Sequence, residues 1–167
     1  MPFDVARLRR LTDDALREGD AGALEAYLLA APDDPRGGEL FAGIIAALVT
    51  APDPPVDRIE ALLDGWAALA PAAVPADDPR ARLPATALRC YGQVAVARPD
   101  WWGDEIAKLR RGTADRRPWS QASLRAALGR MFDADPGRTR EALLAWRASG
   151  DPLASLVAVA VLTMRGE

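Results

Sequence analysis

The sequence predicts an all-α domain, and three observations carry that prediction together. Apolar residues recur at three- and four-residue steps along nearly the whole chain, the spacing that gathers them on one face of a helix. The breaks between these stripes share one chemistry, an Asp-Pro pair. No segment alternates apolar and polar residues for long enough to argue for a strand. The arrangement expected is a short α-solenoid of antiparallel helix pairs, with about nine helices in all. A compact bundle of the same helices fits the stripes as well.

Taken in order, the first stripe is Val5, Leu8, Leu11 and Ala15, with Arg7, Arg9, Arg10 and Asp13 between them. Leu24, Tyr27, Leu28 and Ala31 form the second, and Phe41, Ile44, Ile45 and Leu48 the third. Ile59, Leu62, Leu63 and Trp66 follow, then Leu88, Tyr91 and Ala95, then Trp102, Ile106 and Leu109. Leu124, Ala127, Leu128 and Met131 make the seventh stripe and Leu143 with Trp146 the eighth. The last segment, Leu153 to Met164, is apolar around most of its circumference through Leu153, Leu156, Val157, Val159, Val161 and Leu162. Such a helix expects burial on several sides. It either tucks inward against the earlier helices or pairs with another subunit or protein.

Asp34-Pro35, Asp53-Pro54, Asp78-Pro79, Asp135-Pro136 and Asp151-Pro152 stand at or just before the expected helix starts. The Asp side chain accepts from free N–H groups of a first turn, and Pro at the first helical position gives up only an N–H that would have been unpaired. With Pro99 and Pro118 as further boundaries, the starts fall near residues 3, 20, 35, 54, 80, 99, 118, 136 and 152. Two successive steps span about 32–40 residues, the period of helix-pair repeats. Each such pair needs its neighbour to cover its apolar face. The exception is a Pro/Ala-rich segment at about 67–84, too long for a tight turn between helices. It is expected to be a mobile linker loop where the row of helices changes direction, or else a proline-rich docking peptide. The chain as a whole, 1–167, is expected to be a single domain.

Composition narrows the chemistry. The 167 residues contain no His and one Cys, which removes the commonest general base and metal ligand and any intrachain disulfide or Cys-based metal site. Cys90, between Leu88, Tyr91 and Val94, is expected to be a buried, inert thiol. The phosphate-loop, dinucleotide-glycine and nucleophile-elbow patterns are missing, so no catalytic residue, cofactor or metal is expected. An enzyme here would rest on carboxylates, Arg, Tyr or Lys108, and would need a deep pocket holding a carboxyl group of raised pKa. The N-terminal residues show no secretory signal, and the longest apolar run, Leu153 to Leu162, is far short of a membrane span. A cytoplasmic protein is expected. The net charge of −3 hides an asymmetry: residues 1–83 carry 8 basic and 15 acidic side chains, residues 84–167 carry 13 basic and 9 acidic. Such unevenness marks either drifting solvated faces or an interaction surface.

The segment Leu109 to Phe132, LRRGTADRRPWSQASLRAALGRMF, resembles a HEAT-type repeat. It is especially similar to the HEAT-like repeats of bacterial proteins grouped with DNA-alkylation-repair proteins. Asp115 stands where such repeats carry a turn Asp, Trp119 where an aromatic follows, and Leu124, Ala127 and Leu128 on the second helix's core face. A weaker copy runs from Leu143 and Trp146 through Asp151 to Leu156–Leu162. The resemblance covers about 99–164 and implies a right-handed, HEAT-like or armadillo-like solenoid. The chain departs from it where the family places an Arg six residues after the turn Asp, since Gln121 and Val157 stand there. The Asp–Arg ladder between repeats is therefore not expected in full.

The best candidate surface is the basic cluster Lys108, Arg110, Arg111, Arg116 and Arg117, extended by Arg125 and set near Trp101 and Asp104. Cations beside aromatics suit phosphate backbones and unstacked bases, although Asp104, Glu105, Asp115 and Glu141 neutralise much of the cluster. In the DNA-alkylation-repair proteins that this segment resembles, Trp, Asp and Arg on the concave face hold damaged DNA. The resemblance offers Trp101, Asp104 and Arg111 for similar parts, without a one-to-one alignment. Trp102, Trp119 and Trp146 lie on apolar stripes and are expected in the core. The function expected first is a non-enzymatic scaffold for a protein partner, with homodimerisation through the apolar C-terminal helix as one form of it. The alternative is nucleic-acid binding through the Arg-rich C-terminal half.

Overall fold

A computed structural model describes residues 3–31 and 33–167. Among them the chain is helical and without strands: α1 Val5–Glu18, α2 Gly22–Leu29, α3 Arg36–Val49, α4 Val56–Ala67, α5 Arg82–Ala97, α6 Trp102–Gly112, α7 Pro118–Ala134, α8 Pro136–Ala148 and α9 Pro152–Met164. One-turn 3-10 helices, Pro79–Ala81 and Pro99–Trp101, lead directly into α5 and α6. The helix starts expected near 80 and 99 coincide with these turns.

The aspartates explain most of the boundaries. Asp4 accepts from the amides of Ala6 and Arg7 at the start of α1, Asp135 from Arg138 at α8, and Asp151 from Leu153 and Ala154 at α9. Each satisfies first-turn donors that the helix itself leaves unpaired. Asp53 behaves differently from the other Asp-Pro pairs. It sits at φ 52°, a left-handed conformation that Asp tolerates better than most residues, and α4 begins only at Val56. Here the pair makes a turn rather than a cap.

Three helix entries share a finer device. Asp34, Asp78 and Asp115 each accept from the backbone amide and the guanidinium of the residue two positions on: Arg36, Arg80 and Arg117. They stand just ahead of α3, the 3-10 turn into α5, and α7. The hydrogen bond from the Arg36 side chain holds the Asp34 carboxyl at about 2.

Packing centres on α5, which touches α3, α4, α6 and α7. Its buried residues include Leu83, Ala87, Leu88, Tyr91, Val94 and Ala95, with Cys90 fully enclosed among them. Burial pushes the Cys90 thiol well above its ordinary pKa, consistent with an unreactive group. Further contacts join alternate helices, α1 to α3 and α7 to α9, and successive ones, α1 to α2, α6 to α7, α7 to α8 and α8 to α9. Phe41 of α3 packs on Trp66 of α4 with ring centroids 5.2 Å apart. Between α1 and α4, Arg58 donates to the carbonyls of Leu16 and Arg17, which the end of α1 leaves without partners. Helix α9 buries Ala154, Val157, Ala158, Val161 and Leu162, while Leu156, Val159 and Met164 stay exposed. The inward tuck thus accounts for one face of this helix only. No helix among the described residues is long and apolar enough to cross a membrane.

Helices α5 and α7 approach closely at Gly92. A Cβ there would lie 2.7 Å from the Ala127 Cβ and 2.8 Å from its Cα, so α5 and α7 meet backbone to backbone. Gly in a helix interior normally weakens it, yet Gly92→Ala is expected to destabilise the protein by about 1–3 kcal/mol through overpacking. Gly43→Ala, in α3 with nothing within 4 Å of the added methyl, is expected to stabilise by about 0.5–1 kcal/mol. Urea unfolding followed by circular dichroism measures both, and equal signs would refute the close crossing.

Candidate functional site

The predicted basic cluster divides between the surface and the interior. Arg110 and Arg111 are exposed in the last turn of α6, Arg116 in the turn beyond it, and Arg125 on α7. Among the described residues none of these four has a carboxylate within 4.0 Å. Asp104 is exposed in the first turn of α6. Trp101 is half-buried, with the Arg98 guanidinium 4.0 Å from its ring centroid, so its face already carries a cation. Trp102 and Trp146 are buried as expected, while Trp119 is half-buried beneath the guanidinium of Arg82.

Arg117 and Lys108 turn inward. Arg117 is 4% exposed; beyond its pairing with Asp115, it donates to the carbonyls of Val74 at 2.8 Å and Leu69 at 2.6 Å. Burial works against the Asp115 charge, and the hydrogen bonds from the Arg117 side chain and amide outweigh it, leaving that carboxyl below its ordinary value. Gln121, where the HEAT pattern expects Arg, donates instead to the Asp115 carbonyl. The segment expected to be a mobile loop is consequently tied to the start of α7. Its irregular part ends at Asp78, and Val74 within it is 1% exposed. The expectation missed this because the residue that holds the loop lies about forty positions downstream, in a cluster that reads as surface.

Lys108 is the centre of a half-buried ionic group between α4, α5 and α6. Its Nζ donates to Glu105 at 3.0 Å and Glu60 at 3.1 Å and lies 5.2 Å from the Tyr91 ring centroid. Burial disfavours the ammonium, but the two carboxylates prevail and hold its pKa above the ordinary value. Glu105 is 3% exposed, and its Oε2 has no hydrogen-bond partner. Burial raises its pKa against the opposing pull of Lys108. Glu105 lines a gap of about 10 Å³, room for about one water molecule. The Tyr91 hydroxyl donates to Asp64, and burial followed by that carboxylate pushes the phenol far above its usual range.

Next to this group opens a larger cavity of about 490 Å³. Its lining includes the polar Asp64, Tyr91, Lys108 and Arg111 and the apolar Leu69, Ala70, Pro71, Pro84 and Leu88. Sequence reasoning reached Lys108 and Arg111 but missed Asp64, Tyr91 and Glu60. One signal for Glu105 was available, because it lies between Trp102 and Leu109 on the buried stripe of α6, where an acid needs a partner. No group of three His, Cys, Asp or Glu side chains among the described residues is placed to hold a metal ion.

A second feature lies at the C-terminal end. Five large apolar side chains among the described residues are exposed, and four of them, Leu144, Leu156, Val159 and Met164, belong to α8 and α9; Val5 is the fifth. Compared with known protein families, curated proteins and solved structures, the chain matches none of them.

The Arg117 clasp makes a sharp prediction. Arg117→Ala strands Asp115 and two carbonyls in a buried setting and is expected to lower stability by about 3–5 kcal/mol. Arg110→Ala, at an exposed site, stays within about 0.5 kcal/mol of the parent. Proteinase K digestion under native conditions is the second readout: the Arg117 variant is cut first between residues 69 and 78, and resistance there would mean that the clasp does not hold the loop.

Proposed function

We propose that the protein is a non-enzymatic interaction scaffold of the cytoplasm, a short α-solenoid of HEAT-like antiparallel helix pairs that presents its C-terminal face to a protein partner. The observation that carries this reading is the gathering of exposed Leu144, Leu156, Val159 and Met164 on α8 and α9. Exposed large apolar side chains concentrated on neighbouring helices are what interaction sites offer.

The solenoid reading draws support from a recurrent step in the hydrogen bonding. Arg58, Arg98, Arg117 and Arg138 donate back to the carbonyls of Leu16, Val49, Val74 and Pro99, separations of 42, 49, 43 and 39 residues. One side chain after another thus reaches back by about one helix pair. Contacts between alternate helices, from α1 to α3 through α7 to α9, fit the same scheme, as does the HEAT resemblance of Leu109 to Phe132.

The test is the double variant Leu156→Glu/Val159→Glu, compared with the parent as bait in native lysate and by light scattering of the purified chain. A stoichiometric protein partner, or a second copy of the chain, held by the parent and lost by the variant at unchanged helicity supports the reading. A monomeric parent that retains no stoichiometric protein counts against it.

The second reading, nucleic-acid binding, has its own observation: Arg110, Arg111, Arg116 and Arg125 are exposed and unpaired among the described residues. It predicts retention of single-stranded DNA or RNA that weakens steeply with salt, by about one power of salt concentration for each phosphate contact. Fluorescence anisotropy with the parent and with Arg110→Glu/Arg111→Glu/Arg116→Glu measures it. Binding that survives those changes would dismiss the arginines as the contact.

A further inference from the structure

The cavity between α4, α5 and α6 has a charge pattern that selects a ligand class, and this inference does not depend on the partner-docking surface. Three of its charged residues are already balanced. Arg117 and Asp115 neutralise each other, and Lys108 is held by Glu105 and Glu60. Two are not. Arg111 lines the cavity with no carboxylate within 4.0 Å among the described residues. Asp64 lines it too, using Oδ1 to accept from Tyr91 and leaving Oδ2 free for another donor. Apolar lining comes from Leu69, Pro71, Pro84 and Leu88.

The wall is also pre-formed. Leu69 and Val74 are fixed through their carbonyls by the buried Arg117, so the stretch Ala70–Pro71 between them does not have to be ordered when a ligand arrives. Pre-formed concave sites with an apolar lining and a few convergent polar groups are what small-molecule pockets share, and pre-organisation removes part of the entropy cost of binding. Asp64 and Arg111 are both exposed, and a purely apolar guest would leave each without a partner of opposite charge. A simple anion would satisfy Arg111 but meet Asp64, and a simple cation the reverse.

We propose that this cavity binds a small zwitterion with an apolar body, the chemistry of an apolar α-amino acid, with Arg111 taking the carboxylate, Asp64 the ammonium and the Leu69–Pro71 and Pro84–Leu88 wall the side chain.

The experiment is a titration of the isotope-labelled chain followed by amide chemical shifts, with three probes: L-phenylalanine, 3-phenylpropionate, which lacks the ammonium, and phenethylamine, which lacks the carboxylate. Phenylalanine is expected to give saturable shifts at Ala68, Leu69, Leu88 and Gly112. Each truncated probe should bind about ten- to a hundredfold more weakly, the worth of one charge-assisted hydrogen bond. Arg111→Gln and Asp64→Asn should each weaken phenylalanine by a similar factor. Asparagine keeps an oxygen for the Tyr91 hydroxyl, so the second variant preserves the local fold, and unchanged spectra away from the cavity check that it does. The proposal is overturned by the absence of saturable shifts with phenylalanine up to its solubility, or by shifts confined to other regions. Phenylpropionate binding as tightly as phenylalanine and indifferent to Asp64→Asn would overturn it equally, since the site would then be one for simple anions.

Discussion

Everything in this fold is arranged around the enclosure of α5. A helix whose buried positions include Leu83, Ala87, Leu88, Cys90, Tyr91, Gly92 and Val94 cannot lie on a surface, because its apolar area is not confined to one stripe. It must be flanked on several sides, and α3, α4, α6 and α7 do that. Gly92 sets how closely the most intimate of these neighbours, α7, can lie. With α5 and α7 in near backbone contact, the residues that meet at the crossing are small, Gly92 and Ala127, while Leu124, Leu128 and Met131 of α7 are fully buried.

Enclosing a helix so fully brings a polar difficulty. Helix ends next to the core expose carbonyls that no longer reach water and have no partner within their own helix. Long arginine side chains resolve it: Arg58 serves the end of α1 and Arg98 the last carbonyl of α3 at Val49. A guanidinium has five donors in a fixed fork, so a single residue can hold an aspartate and two carbonyls at once, as Arg117 does. The Asp-x-Arg entries show how one local device serves different ends. In Asp34–Arg36 and Asp78–Arg80 the arginine stays largely in solvent, where an ion pair contributes little. In Asp115–Arg117 the same clamp is buried and holds a distant segment.

The helices were legible in the sequence because their signals are local. Period-3.6 stripes and Asp-Pro boundaries depend on residues a few positions apart, and they place the starts of α7, α8 and α9 to the residue. What stayed hidden depends on pairing across distance. The Asp-x-Arg spacing sets Arg117 apart from Arg116 but not from Arg36 or Arg80, which stay largely in solvent; Arg117 is buried because it reaches the Leu69–Val74 segment. The Asp53 turn was misread for a related reason, since the dipeptide is the same as at Asp135 and only the following residues decide whether a helix begins at once. The candidate surface divided along these lines: Arg110, Arg111, Arg116, Arg125 and Asp104 lie outside, while Lys108 and Arg117 belong to the interior.

Lys108 illustrates how residue choice and site geometry meet. The chain uses Arg at every basic position except this one. The position lies against Tyr91 and between Glu60 and Glu105, with 11% of the side chain exposed. An ammonium is a compact charge with three donors, whereas a planar guanidinium would need more acceptors and a flat slot to satisfy its fork. Two carboxylates on one side and an aromatic face on the other suit the ammonium, and its compactness leaves the neighbouring cavity open. Arginine elsewhere ties helices together by reaching far. Here the short reach of a point charge neutralises Glu105 where it stands, without filling the space that Asp64 and Arg111 border.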